Sequence, residues 1–180
     1  MTDCFKAHPR VCHVALGGSD TWPYDTSAKA ASNLCDALDA VYCSEASRGE
    51  VLVHPGVYVN PKTEQQGEYA CAAMLNKNVA VRGLGETPAE TRIDLTISSL
   101  VSAVRLYHEK ALLENLTLTV CGWGKDLINI ETSAMGLALH VEFGTGSNCV
   151  VTGCKTSGSS CANPPFTMAG GLAHGVLVKD

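Results

Sequence analysis

The sequence predicts an all-β fold, a three-sided parallel solenoid preceded by one N-terminal capping α-helix, and three observations predict it. A helical period of apolar residues occurs once, early in the chain. After residue 49 the chain reads as short β-branched runs broken by Gly, Pro, Asn and Ser. Those runs recur in threes.

Residues 13–24, HVALGGSDTWPY, read as a short strand followed by a turn-rich stretch. From there the period changes: Ala28, Ala31, Leu34, Cys35, Leu38, Val41 and Tyr42 recur at helical spacing, and Thr26 or Ser27 can cap the first turn through its hydroxyl. The spacing predicts one amphipathic helix over about 27–43, ending before Arg48-Gly49. The strand runs are EVLVHPGVYV (50–59), NVAVRG (78–83), TRIDLTI (91–97), AVRLYH (103–108), NLTLTV (115–120), DLINIE (126–131), GLALHVE (136–142), NCVVTG (148–153) and GVLV (175–178). Aligning Asn78, Asn115 and Asn148 superposes three of them, with two further strands in each interval. Three strands per repeat is the arithmetic of a three-sided coil.

Alternate strand residues point to opposite faces, so the alignment also predicts the core. On the first face Val79, Leu116 and Cys149 turn inward, as do Val81, Leu118 and Val151. On the second, Ile93 and Leu95 stack on Ile128 and Ile130. On the third, Val104 and Leu106 stack on Leu137 and Leu139. Every inward column is aliphatic or cysteine.

Composition narrows the partners. Hydrophobic residues make up 46% of the 180 residues and charged residues only 17%, so much of the chain is expected inside a core. A formal charge of −5, without a basic stripe, disfavours nucleic acid. No apolar run is long enough for a membrane-spanning helix, and MTDCFKAHPRVC has no apolar signal core. The nine cysteines cannot all pair within the chain, and their spacings fit no ordinary zinc pattern.

The segment HVALGGSDTWPYDTSAKAASNLCDALDAV, followed by GEVLVHPGVYV and NVAVRGLG, resembles the opening of right-handed parallel β-helix proteins of the pectin-lyase-like superfamily. LLENLTLT and SNCVVTGC resemble later coils of that family, and MAGGLAHGVLV resembles its Gly-rich linker. The resemblance implies residues 1–12 as a tail and 13–180 as one right-handed parallel β-helix domain, with coils over about 50–180 and a truncated C-terminus. It also implies a carbohydrate-associated domain at the cell surface or outside the cell, with a binding or scaffolding role. The alternatives are a polysaccharide lyase or glycoside hydrolase acting on an acidic polysaccharide, and a structural adhesin or tailspike-like module.

Catalysis on a glycan needs paired carboxylates, or a base beside calcium-holding acids. The outward positions of the first face carry no carboxylate. On the second face Asp94 and Glu131 form a small acidic patch, a candidate Ca2+ or sugar contact whose competing reading is solvated strand decoration. On the third, Arg105, Tyr107 and His140 lie together and are candidates for stacking and hydrogen bonding a sugar, although packing alone also explains such pairs. Trp123, in the Gly-flanked CGWGKD turn, is the candidate exposed sugar-stacking aromatic. His54, beside the first Pro-Gly turn, reads as structural.

Three further expectations follow from the alignment. Asn78, Asn115 and Asn148 should form a side-chain ladder at equivalent turns. Cys121 and Cys154 should lie on neighbouring coils, reduced. The chain stops within a strand with no helical cap, so it should pair end to end with another copy or continue in a longer protein.

Overall fold

The computed structural model describes residues 8–59, 64–66, 69–96, 101–121, 137–154 and 176–178. They form two sheets, and alternation builds both. In β2 (Gly49–Val53) Val51 and Val53 are fully buried while Glu50 and Leu52 are half-buried, the signature of a strand with one face on the core. β1 (Val11–Val14), β6 (Val79–Gly83), β7 (Thr91–Thr96) and β9 (Thr117–Cys121) carry the same inward aliphatics. The other strands are β3 (Gly56–Val59), β4 (Glu64–Gln66), β5 (Tyr69–Leu75), β8 (Val101–Glu114), β10 (Leu137–Ser147), β11 (Val150–Cys154) and β12 (Val176–Val178).

One sheet runs β1-β2-β6-β8-β10-β12, with β5 also on β8 and β4 on β5. The other runs β11-β9-β7-β3. Every pairing is parallel except β4 with β5. The expected all-β, three-sided solenoid is therefore corrected: the chain shows two mostly parallel sheets with helical segments, a mixed α/β-like arrangement. The difference arises at corners that strand alternation cannot reveal. Asn115, at φ +56°, turns the chain so that Leu112–Glu114 joins the first sheet and Thr117–Cys121 the second.

The same corner overturns half of the strand alignment: the strands after Asn115 and Asn148 stack as aligned, with Leu118 opposite Val151 and Cys121 opposite Cys154, but the strand after Asn78 does not join them. β6 does not stack on β9; its Ala80, Val81 and Arg82 pair with Leu112, Leu113 and Glu114 of β8. β9 instead receives β7, with Ile93 opposite Leu118 and Asp94 opposite Thr119, and passes to β11. Ile128 and Ile130, the expected partners of Ile93 and Leu95, lie outside the described residues.

β8 holds a second feature hidden from the sequence. Val104 and Leu106 are buried, and so are Ala111 and Leu113. The inward positions change from even to odd within β8, and the five steps from Tyr107 to Leu112 oppose only two in β10, Phe143 to Thr145, so the extra residues bulge out of the pairing. β10 shifts register beside it, between Val141 and Thr145, where Gly144 has φ +99°. A Cβ at Gly144 would lie 2.9 Å from both the His108 and Ala111 carbonyl oxygens, so glycine is required for this close approach.

The N-terminal helix is shorter than its period suggested. A 3-10 turn covers Ser27–Lys29, capped by Thr26, and α1 covers only Leu34–Ala40. Between them Ala31 bridges to Val14, with Ala31 N–H donating to the His13 carbonyl and Ala15 N–H to the Ala31 carbonyl. Those bonds hold residues 30–31 extended along the outer edge of β1, which a continuous helix would leave unpaired. Asn33 restarts the helix by accepting the Asp36 N–H at 3.0 Å. Leu34, Cys35, Ala37, Leu38 and Ala40 then face the core formed with both sheets. Lys77 donates to the Leu38 and Val41 carbonyls at the other end, where a cation suits the helix dipole.

Candidate functional site

Strands β8 and β10 of the first sheet carry three of the positions singled out above, Arg105, Tyr107 and His140. Because Val104 and Leu106 face the core, the pleat sends Arg105 and Tyr107 to the other side. Cross-strand register sets Met74 of β5 and His140 of β10 on either side of Arg105, and Phe143 opposite Tyr107. The expected arrangement, with Tyr107 and His140 in one column, is displaced by one pleat: His140 stands opposite Arg105. Likewise Val104 and Leu106 pair with Leu139 and Val141 rather than with Leu137 and Leu139. A slip of two residues keeps every side chain on its face, so alternation alone cannot detect it.

The Arg105 guanidinium is buried, lies 4.8 Å from the centre of the Tyr107 ring, and donates to the Tyr107 hydroxyl. Burial, and next a hydrogen bond to the Glu142 carboxylate, push the Tyr107 phenol above its ordinary value. The phenol thus stays protonated at neutral pH, and one relay runs from guanidinium through phenol to carboxylate. Its charges balance. Phe143, in register with Tyr107, leaves 51% of its surface exposed. Sequence reading did not single out Phe143; the shifted register beside Gly144 brings it opposite Tyr107.

Asp94 does not present a free carboxylate. Arg92 grips it with two bonds, Nε to Oδ1 at 2.8 Å and an Nη to Oδ2 at 2.5 Å, and the carboxylate raises the guanidinium pKa in turn. That bidentate pair occupies the oxygens a cation would use. Its expected companion Glu131, and the candidate aromatic Trp123, lie outside the described residues. Among the described residues no group of three or more His, Cys, Asp and Glu side chains is placed to hold a metal ion.

The asparagine ladder has two rungs. Asn115 donates its amide to the Gly83 and Gly85 carbonyls at 3.0 and 2.7 Å, and Asn148 donates to the Asn115 side-chain oxygen at 2.8 Å. Both asparagines hold positive φ, which asparagine tolerates better than most residues. Asn78 is corrected: it precedes β6 rather than a corner between sheets, and its amide holds the Ser44 and Glu45 carbonyls. The position in register with Asn115 one layer earlier is Gly83, which follows the Arg82–Glu114 pair.

Sequence reading also missed a surface ion cluster. Glu45 bonds His108 at 3.0 Å and Lys110 at 3.2 Å, and those two bonds lower its pKa. The cluster pins the 44–47 turn to the bulge of β8. His108 and Lys110 lie 63 and 65 positions from Glu45, so no local pattern announces the cluster.

No protein-family profile, curated protein or solved structure matches this chain. Among the described residues no helix is long and apolar enough to cross a membrane.

Proposed function

We propose that the chain is a carbohydrate-associated domain with a binding or scaffolding role, and that glycan engages the outer face of β8 and β10. The observation that carries this reading is the exposed Phe143, in register with Tyr107 of the Arg105–Tyr107–Glu142 relay. Sugars present an apolar C–H face and a rim of hydroxyls. An exposed ring answers the first, and a phenol–carboxylate pair on a rigid sheet answers the second. The motif-level likeness to pectin-lyase-like proteins supports the same substrate class.

The test is a glycan array followed by calorimetry on the best oligosaccharide with wild type, Phe143→Ala and Tyr107→Phe. Loss of an aromatic contact of about 0.5–1.5 kcal/mol predicts weakening of about two- to tenfold for Phe143→Ala. Trp123→Ala in the same series tests the other candidate ring. Binding to no glycan, or equal affinity in all variants, overturns the proposal. Release of unsaturated fragments from a polyuronate would replace the binding role with a lyase.

A further inference from the structure

The first corner of the chain holds a pair of histidines that the proposed glycan surface does not use. His13 lies on β1 opposite Leu52, and His54 follows β2 at the turn into β3. His13 Nδ1 and His54 Nε2 are 2.9 Å apart, with ring centres 5.2 Å apart and planes inclined by 35°. The nitrogens therefore meet nearly head-on. An ion bridging two imidazole nitrogens in that direction would need about 4 Å between them, twice the usual metal–nitrogen distance. What fits the gap is one proton.

We propose that His13 and His54 share a single proton and act as an acid-sensitive latch between the N-terminal edge strand and the first corner. With one bridging proton, one nitrogen donates and the other accepts. Once both rings are cationic, two N–H groups face each other at a distance where neither can accept, and the contact must open.

The surroundings support this and connect the latch to the backbone. Burial, then the neighbouring His54, lower the His13 pKa below 6.5, and Asp25 opposes them. Asp25 is itself tied to Lys29 of the 3-10 turn beside β1, and on α1 Asp36 is bonded by Asn33. From β3, Tyr58 sends its hydroxyl to the His54 and Val14 carbonyls; burial pushes this phenol to about 12, so it adds no charge in acid. His13 also exchanges backbone bonds with Tyr24 and Ala31, so the segment that covers the edge of β1 hangs on the same residue.

A histidine whose pKa is depressed by folding contributes full stability above 6.5, and that contribution is lost as pH falls through the folded value. Opening should therefore begin just below pH 6.5 and loosen β1 first.

The experiment is an imidazole-detected NMR titration of the whole chain between pH 8 and 4, with amide exchange at residues 11–14. Expected are two coupled steps for the His13–His54 pair, and at least a tenfold loss of amide protection at 11–14, taken against the intrinsic exchange rate at each pH, from pH 7.5 to 5. In His54→Gln the second step should vanish and the acid loss of protection should shrink. Independent single steps for the two rings would overturn the latch. So would an acid loss of protection that is unchanged in His54→Gln. If that variant does not fold, the wild-type titration still decides, with His13→Gln as the second substitution.

Discussion

Replacing Asn115 with alanine tests the corner on which the two-sheet arrangement depends. The substitution removes the amide that donates to the Gly83 and Gly85 carbonyls and the oxygen that receives Asn148. Gly83 and Gly85 are buried, so both carbonyls lose a partner that water cannot fully replace. At about 1 kcal/mol each, they cost about 2 kcal/mol. The contact with exposed Asn148 adds little. Alanine must also hold φ +56°, a left-handed conformation costing about 1–2 kcal/mol without a side-chain bond. The sum is about 3–4 kcal/mol, a large part of the 5–15 kcal/mol typical of a domain. Urea unfolding followed by circular dichroism measures it as a lower midpoint at constant slope. Asn115→Gly separates the two contributions: it loses the same bonds without the backbone cost and should be about 1 kcal/mol more stable than Asn115→Ala. A loss below about 1 kcal/mol for alanine, or equal losses for alanine and glycine, would refute the role given to this residue.

Gly83→Ala should destabilise by about 3 kcal/mol or more, read from thermal melts, because its Cβ would fall 2.0 Å from the Asn115 carbonyl oxygen and backbone must move. Leu113→Ala, at a fully buried site, should cost about 2–5 kcal/mol by urea unfolding. Burial pushes the Cys12 thiol from 9.0 to about 11 and the Tyr58 phenol from 10.0 to about 12. Raised acids stabilise below their unfolded values, so stability should fall as pH rises from about 9 through 12, visible as declining melting temperature. Cys12, Cys35 and Cys71 are buried and reduced, so a native thiol titration at pH 8 should leave them unreacted until urea is added. Cys121 and Cys154 are register partners on β9 and β11, and mass spectrometry should find them reduced as well.

Much of the core was legible before any tertiary information. Val79, Val81, Ile93, Leu95, Val104, Leu106, Leu116 and Leu118 were all expected inside, and all are buried. The helical stripe through Leu34, Cys35 and Leu38 is likewise the stripe that packs. The candidate site was legible in its chemistry, Arg105 with Tyr107, and illegible in its geometry, where Phe143 and Glu142 complete the group.

The sequence by itself determined which face of each strand is apolar, because alternation belongs to the pleat of a single strand and needs no partner. Only the tertiary structure decided which strands meet. A corner at Asn115, a bulge in β8 and a two-residue slip of β10 all leave local alternation readable while reassigning neighbours: β6 goes to β8 and Val104 to Leu139, although β9 and β11 meet as aligned. The same holds for the shortened helix: residues 27–33 carry helical spacing, but the open edge of β1 offers backbone bonds to Ala31 that no local propensity registers. Pairing energies belong to two segments at once, and a pattern read along one segment contains only half of each.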